Sequence, residues 1–499
     1  MKILSTIFLL VIGMSSFGQS TFRKLQPEEM QKELSIIQAT FDQIHPGTYR
    51  FNSEAQVKDI FKQAKLAASK PMPEDSYMIL LSQLTAEIKC GHTYLNYWNQ
   101  DKTITERLYS KSFLPLLFKI VNDKIIITNH LSGYASIVAG DEIRSINGIK
   151  SKEIIRKLLT VSQTDGRNGK SRQINNLNIA PLDISEDNYN LFDIYFPLFF
   201  PSAFNGSTYA ISIKTFTGKH ETLKVKAMTK SERQDAYQAK FGKIPTNEQN
   251  WSYSMLDRKT GYLKIGDFET WNWKSDYKKY LDSVFNSLSS SHVENLIIDV
   301  RGNGGGDDEA RDQVLSYLAR RPFGCEDRVR KLYKFLAVPD SLSTYLKTWD
   351  KTFKQAKDPA AFKLSSEGLY EKVNQAAIPC DPIKPKANAF IGKQFLLTDA
   401  SNSSATFRMA QIFQKEDMGL VVGEPTGGSK QGINGGQLFF LRLPFSKLEI
   451  DIPLIWGAAV KKQSDEGVKP NVMSRTTQKS IYAGEDAQLN KVLQLINKQ

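Results

Sequence analysis

The chain has 499 residues, which is too long for one ordinary hydrophobic core and predicts about two to four domains. Its composition, 40% hydrophobic and 24% charged, is ordinary for a soluble globular protein. The formal net charge of +13 comes from scattered basic residues, without a long Lys/Arg run or a basic stripe interleaved with aromatic residues. We therefore expect a mixed, solvated surface and no nucleic-acid partner.

Residues 1–19 have the organisation of a secretory signal peptide. Lys2 precedes a short apolar run, and small polar residues follow it. The run is shorter than the roughly 18 apolar residues that a transmembrane helix needs, and no later segment approaches that length. No cysteine stands near the expected cleavage region, so no lipid anchor is indicated. We expect a mature protein that begins near Ser20 or Thr21, is periplasmic or secreted, and is not inserted in a membrane.

Residues 20–98 predict an N-terminal helical domain. Apolar residues recur with helical spacing through 26–90, and His45-Pro46-Gly47 separates the first two helices. The pattern changes to short strands from about residue 113, which predicts a β-rich domain over 110–230. An irregular, aromatic-rich insertion at 165–205 interrupts this second domain.

Residues 250–480 alternate predicted strands with predicted helices, which is the signature of a βαβ sheet. Two strand–loop–helix units lie in this region. The first runs from a buried strand through a glycine-rich loop at 302–306 into a helix with acids in its first turn. The second carries a serine cluster, 401–404, where its helix begins. Bare backbone N–H groups beside a serine at a helix N-terminus are what acyl transfer requires, because they stabilise a developing oxyanion.

A polar insertion of about residues 322–386, predicted to be helical, interrupts the βαβ region. Cys325 and Cys380 bracket it, and the two thiols could pair in an oxidising compartment. The alternative is that both are buried free thiols. Three cysteines in the whole chain are too few for a disulfide framework.

An ordered set of motifs resembles family S41 of the serine peptidases, the C-terminal processing or tail-specific proteases, with the tricorn-like branch favoured. The resemblance implies an α/β multidomain fold: an N-terminal helical domain, a PDZ-like β-rich domain, and a C-terminal βαβ catalytic domain of the ClpP/crotonase-like type. The motifs are Gly91-His92-Thr93, GDEIRSING (140–148), DVRGNGGG (299–306), SNSSAT (401–406), VVGEPTGG (421–428) and DEGVKPN (465–471).

The resemblance implies that Ser404 is the nucleophile, because it is the serine followed by a small residue, Ala405. The simpler alternative, that the serine cluster only caps a helix, is compatible with catalysis. Phe407 departs from the family pattern, in which many members carry an acid three residues after the serine. His92 matches the histidine of the tricorn-like branch and is expected to take the serine proton. A role for Cys90 as the nucleophile is less favoured than a role as a thiol that packs in the interior.

A third group should orient the histidine. In the tricorn-like branch an acid lies just before the GVxPD-type segment. In this chain Ser464 occupies the directly matching position, so the acid would be one or two residues later, at Asp465 or Glu466. We favour Glu466. The other branch uses a lysine base about 25 residues after the serine, and Lys430 is the corresponding alternative. Without a catalytic role, Asp465 and Glu466 would lie in a solvated turn, and Lys430 would be an exposed loop lysine.

The backbone N–H groups of Gly305, Gly306 and Ala405 are the expected oxyanion donors. The glycine run lacks the spacing of a dinucleotide or phosphate loop, and no cluster has metal-ligand spacing, so no cofactor or metal is implied. The expected partner is a peptide or an unfolded protein. The expected function is a secreted or periplasmic serine endopeptidase that forms an acyl-enzyme on Ser404. The alternative is a catalytically impaired, peptide-binding pseudopeptidase of the same fold.

Overall fold

The computed structural model describes residues 22–167, 169–184, 188–203, 206–325, 329–373 and 381–498. The predicted signal peptide therefore lies outside the described residues, as does Cys380. Cys325 is disulfide-bonded, and Cys90 is a buried free thiol. Within the described part of the chain, none of the helices is both long and apolar enough to cross a membrane.

Helices dominate the N-terminal region, as the apolar spacing predicts. Helix α1 begins at a proline and buries one apolar face. Ser53 caps the N-terminus of α2, and its side chain accepts a hydrogen bond from the Gln56 N–H. The break between them contains His45, as expected. The elements are β1 (Lys24–Leu25), α1 (Pro27–Gln43), α2 (Glu54–Ala67), β2 (Met72–Pro73), α3 (Glu74–Glu87) and α4 (Lys102–Leu108).

An antiparallel sheet follows, with strand order β3-β4-β5-β7-β8 and β6 paired to β5. Between β6 and β7 lie α5 and then the irregular insertion, 165–205, whose described residues include the helices α6 and α7. The elements are β3 (Leu116–Val121), β4 (Lys124–His130), β5 (Glu142–Ile146), β6 (Ile149–Lys150), α5 (Ser151–Leu158), α6 (Lys170–Asn175), α7 (Leu191–Phe199), β7 (Thr208–Lys214), β8 (His220–Lys226) and α8 (Lys230–Phe241).

The predicted βαβ region forms the main sheet, with strand order β20-β17-β16-β11-β10-β9. All neighbours in it are parallel except β9, which runs antiparallel to β10. Its elements are β9 (Trp251–Met255), β10 (Thr260–Ile265), α9 (Tyr277–Ser290), β11 (Asn295–Asp299), α10 (Asp308–Leu318), β16 (Lys393–Thr398), α12 (Ser404–Lys415), β17 (Leu420–Gly423), β20 (Val472–Met473), α13 (Gln478–Tyr482) and α14 (Ala487–Asn497).

The insertion at 322–386 corrects a prediction, because its described part is mainly irregular chain with four short strands and one four-residue α-helix, rather than a helical segment. Four of its strands join a long hairpin in a six-stranded antiparallel hairpin sheet of order β13-β18-β19-β12-β15-β14. Its charged residues favoured a helix, but the open edge of β19 supplies backbone partners. The elements are β12 (Val329–Tyr333), α11 (Asp340–Ser343), β13 (Leu346–Lys347), β14 (Phe362–Leu364), β15 (Tyr370–Lys372), β18 (Gly432–Arg442) and β19 (Glu449–Ala459).

Two large apolar cores divide the molecule. One lies on a single face of the main sheet, under α9, α10 and α12. The other is continuous from the N-terminal helices through the antiparallel sheet into the hairpin strands β18 and β19. The second core therefore joins segments that are more than 300 residues apart in sequence. His92 and Ser404 come from the two different sides of this boundary.

Candidate active site

Ser404 is the first residue of α12 and lies at the carboxyl edge of the main sheet. Its backbone φ is +47°, a left-handed conformation that is uncommon for a residue with a side chain. Ser404 is partly exposed, whereas Ser403 is buried and its Oγ has no hydrogen-bond partner among the described residues. Ser401 Oγ accepts a hydrogen bond of 2.8 Å from Asn175 Nδ2. Of the three serines, Ser404 is the one held in a strained, accessible position.

The glycine loop, residues 300–307, lies directly against Ser404. Strands β11 and β16 are parallel neighbours, so the loops that follow them meet at the same edge of the sheet. Gly305 and Gly306 have φ values of +123° and +133°. A Cβ on Gly305 would lie 2.6 Å from Ser404 Cβ and 3.1 Å from the Ala405 nitrogen. Glycine is required at this position both for the dihedral angle and for the close approach.

Two fully buried asparagines lock the glycine loop to the serine loop. Asn402 Nδ2 donates to the backbone oxygens of Val300 and Asn303, at 2.6 and 3.1 Å. Asn303 Oδ1 accepts from Thr406 Oγ1 at 2.6 Å and from the Gly305 N–H at 2.9 Å. Sequence reasoning missed both asparagines, although each stands inside a quoted motif.

The three backbone N–H groups expected to bind the oxyanion differ in whether they already donate a hydrogen bond within the protein. The Gly305 N–H is already bonded to Asn303. The N–H groups of Gly306 and Ala405 have no hydrogen-bond partner among the described residues. Both are therefore free to donate to a bound carbonyl oxygen, and Ala405 lies in the first turn of α12, where the helix dipole favours negative charge. Two of the three expected oxyanion donors are therefore uncommitted in the structure.

His92 lies in the segment that follows α3, facing the hairpin sheet. A Cβ on Gly435 would lie 3.6 Å from the His92 ring, and His92 Nδ1 is buried without a hydrogen-bond partner in the described structure. Burial lowers the pKa of His92 below its ordinary value; the charge of Asp165 acts to raise it and that of Arg172 to lower it. A lowered pKa keeps the imidazole neutral, which is the form that accepts a proton. No hydrogen bond joins His92 to Ser404 in the described residues.

Asp165 and Arg172, which sequence reasoning also missed, lie next to the histidine. Asp165 Oδ1 accepts the Gly91 N–H at 2.9 Å, and Asp165 Oδ2 accepts from Arg172 Nη1. Both belong to the insertion between β6 and β7, where no local pattern distinguished them. Their partner Gly91 stands 74 residues before Asp165, so only the folded chain brings them together.

Glu466, the favoured third group, lies at the surface. Its carboxylate accepts from Ser464 Oγ at 2.9 Å and forms an ion pair with Lys469 at 2.6 Å. These contacts hold the pKa of Glu466 below its usual value, Lys469 contributing most. Lys430, the alternative base, lies 3.8 Å from the same carboxylate. The structure brings neither Glu466 nor Lys430 into hydrogen-bond contact with Ser404 or His92 among the described residues.

Asp465 binds a different loop. Its Oδ1 accepts from Ser429 Oγ at 2.9 Å, and its Oδ2 accepts the Arg167 N–H at 2.8 Å. Phe407, the departure from the family pattern, is buried in the core of the main sheet beside Gly428. Cys90 is also buried, and its sulfur accepts a hydrogen bond from Asn434 Nδ2 at 3.2 Å. Burial raises the Cys90 pKa, which disfavours the nucleophilic thiolate.

Comparison with known proteins agrees with this geometry. Residues 259–472, which contain the glycine loop, Ser404 and the hairpin, match the sequence model of peptidase family S41. The chain therefore contains a peptidase family S41 region, residues 259–472. It is therefore a serine-type peptidase by family. No curated protein sequence matches the chain significantly.

Solved structures show the same mixed α/β, multidomain fold. The chain resembles mature CPAF with a TM-score of 0.59 at 16% identity, covering 95% of this chain and 98% of that one. It resembles mature CPAF complexed with lactacystin with a TM-score of 0.61 at 15% identity, covering 95% and 99%. The likeness extends over nearly the whole chain, so the fold is shared well beyond the region that the family model matches.

Proposed function

We propose that this family S41 member is an endopeptidase that cleaves peptide bonds through an acyl-enzyme on Ser404. The observation that supports the proposal is the close approach of Gly305 to Ser404, next to two backbone N–H groups, those of Gly306 and Ala405, that have no hydrogen-bond partner among the described residues. Such preorganised donors stabilise the charge that develops on the substrate carbonyl oxygen. The strained backbone of Ser404 supports the same role.

His92 is the proposed base. Ser404 Oγ attacks the substrate carbonyl carbon while His92 takes the hydroxyl proton, and the N–H groups of Gly306 and Ala405 bind the oxyanion. His92 then gives the proton to the leaving amine, and water hydrolyses the ester by the reverse route. A lysine base must be desolvated and neutral, whereas Lys430 is partly exposed beside the Glu466 carboxylate.

The third member of the site remains a proposal. Glu466 was favoured on the family pattern, but its carboxylate is engaged by Lys469 and Ser464. Asp165 is the carboxylate whose charge acts to raise the His92 pKa, but its oxygens accept hydrogen bonds from the Gly91 N–H and Arg172 rather than from His92 Nδ1. We expect substitution of Glu466 to cost less activity than substitution of His92.

The proposed substrate is a peptide or an unfolded protein. The antiparallel sheet β3–β8 is our candidate for the PDZ-like domain, and β8 pairs with only one strand among the described residues, so its free edge suits strand addition. We propose a periplasmic or secreted location on the pattern of residues 1–19. The disulfide at Cys325 supports it, because such bonds persist in oxidising compartments.

Hydrolysis of casein or a chromogenic peptide by matched variants tests the proposal. Ser404→Ala should lose at least about a thousandfold in kcat with little change in thermal unfolding. Ser403→Ala, which removes a buried hydroxyl without a partner, should retain most activity. An inactive Ser403→Ala with an active Ser404→Ala would show that the nucleophile is misplaced. A wild-type protein that binds peptides but neither cleaves them nor reacts with a fluorophosphonate would instead be the pseudopeptidase, which the missing Ser404–His92 hydrogen bond motivates.

A further inference from the structure

One segment of the insertion contacts both the histidine and the serine sides of the site. We call residues 165–167 and 169–175 the bridging segment. On the histidine side, Asp165 Oδ1 accepts the Gly91 N–H at 2.9 Å, and the Gly166 N–H donates to Lys89 O at 2.9 Å. These two bonds fix the backbone on either side of Cys90, immediately before His92.

Arg172 connects this contact to the serine side. Its guanidinium pairs with Asp165, and only 11% of its side chain is exposed. Its aliphatic part packs on Gly427, where a Cβ would lie 2.9 Å from Arg172 Cδ. The Gly427 N–H in turn donates to Asn402 O at 2.8 Å. Arg172 thus links the histidine segment to Gly427, which is itself hydrogen-bonded to the loop that carries Ser404.

Asn175 provides a second connection to the serine loop. It lies three residues after Arg172 on α6, so the two side chains project from neighbouring positions of one helix face. Asn175 Nδ2 donates to Ser401 Oγ at 2.8 Å. The bridging segment also contacts the loop that contains Asp465, because the Arg167 N–H donates to Asp465 Oδ2 at 2.8 Å.

We propose that Asp165, Arg172 and Asn175 are positioning residues that hold His92 in reach of Ser404. His92 and Ser404 come from opposite sides of the boundary between the two cores. Among the described residues, no hydrogen bond joins them and fixes their separation directly. The bridging segment fixes it instead, through one ion pair and the hydrogen bonds at its two ends. This inference rests on the proposed function, since it assigns the segment to the Ser404–His92 pair.

The proposal makes a charge-specific prediction. Asp165 and Arg172 are the charged side chains that act on the His92 pKa, with opposite signs. Removing the carboxylate leaves the guanidinium unneutralised and should lower that pKa; removing the guanidinium should raise it. A segment with a purely structural role would lower activity or stability without moving the pH dependence in opposite directions.

The experiment measures the rate of Ser404 labelling by a fluorophosphonate across pH, with thermal unfolding of each variant. We expect Asp165→Asn and Arg172→Gln each to slow labelling at least tenfold, with the midpoint moving down in the first and up in the second. Arg172→Lys should recover part of the rate. Ser171→Ala, an exposed position on the same helix, should match wild type.

Asn175→Ala keeps the ion pair and serves if the charge variants fail to fold. It should slow labelling severalfold without moving the midpoint, and a wild-type rate in folded Asn175→Ala would overturn the proposal. Unchanged midpoints in folded Asp165→Asn and Arg172→Gln, or shifts in the same direction, would also overturn it while leaving the proposed function intact. Failure of the wild-type protein to label at Ser404 would overturn the proposed function, and this inference with it.

Discussion

At the residue scale, the site is defined by what surrounds Ser404 and His92. Ser404 is strained and accessible, and His92 is desolvated with an unpartnered Nδ1. Desolvation favours the neutral imidazole, which suits a general base. The proposed nucleophile and the proposed base were both suggested by local motifs, because each stands in a short segment with family spacing. Asp165 could not, because its partner Gly91 is remote in sequence.

The His92 environment predicts the pH dependence of activity. Because burial lowers its pKa from the ordinary value of 6.5, peptide hydrolysis should rise with pH through a midpoint below 6.5. His92→Ala should lose nearly as much as Ser404→Ala, and the double variant little more, because the pair acts as a unit. A rate profile in pH for wild type and these variants checks this. An inactive Lys430→Ala beside an active His92→Ala would identify the lysine as the base.

The two neighbouring glycines of the loop provide a matched pair of substitutions. Gly305→Ala would force a Cβ against Ser404 from a positive φ, so we expect at least about a hundredfold loss in kcat from displacement of the serine. Gly304→Ala should lose far less, because nothing lies within 4 Å of its added Cβ. Steady-state kinetics on both variants would contradict this account if the two losses were equal.

At the element scale, the loops at the edge of the main sheet were predictable and the hairpin sheet was not. Two strand–loop–helix units imply parallel neighbours, and β11 and β16 are neighbours whose loops meet as expected. The strands of the insertion depend instead on distant partners, because β12 pairs with β19 and β13 with β18, each more than 90 residues away in the chain. Contacts of that range leave no local pattern, since β structure follows its partners more than its own composition.

The hairpin also holds the histidine segment. The Asp451 N–H donates to Tyr94 O at 3.1 Å, and Asn96 Nδ2 donates to Asp451 Oδ2 at 2.6 Å. Burial raises the pKa of Asp451 to about 8, while the Asn96 bond acts to lower it and Glu449 to raise it. Between the ordinary aspartate pKa of 3.8 and a pH of about 8, the folded protein therefore keeps a proton on Asp451 that the unfolded chain has already released.

This proton predicts the effect of Asp451→Asn on stability. As the pH rises through that window, Asp451 should lower the free energy of unfolding of wild type by up to about 1.4 kcal/mol per pH unit. The amide of Asp451→Asn does not titrate, so the variant should not show this loss. The stability advantage of Asp451→Asn should therefore grow with pH. Urea unfolding of both proteins at pH 5 and pH 7.5 measures it. An equal difference at the two pH values would show that Asp451 is ionised in the folded protein.

At the whole-molecule scale, the N-terminal helices share one apolar core with the hairpin strands rather than forming an appendage. Glu33 on α1 is fully buried and accepts from the N–H groups of Phe445 and Ser446 and from Ser446 Oγ, at 2.6, 2.8 and 2.8 Å. These bonds tie the turn of the hairpin to a helix more than 400 residues earlier. The order of helical and strand-rich segments was predictable from periodicity, but this shared core was not.

The shared core predicts one cooperative transition. Glu33→Ala would leave two buried N–H groups and a hydroxyl unpaired, so we expect a loss of about 2–4 kcal/mol in the free energy of unfolding. Tryptophan fluorescence and far-ultraviolet circular dichroism should report the same shifted urea midpoint. Two separate midpoints in the variant or in wild type would mean that the regions unfold independently.

The most direct test of the central claim is to locate the covalent adduct that a fluorophosphonate forms with the intact protein. Mass spectrometry of the digested adduct should place the label on Ser404 alone, and Ser404→Ala should remain unlabelled under the same conditions. This is the result that a strained serine, activated by His92 beside the uncommitted N–H groups of Gly306 and Ala405, requires. A label on Ser401 or Ser403, or an unlabelled wild-type protein, would contradict it.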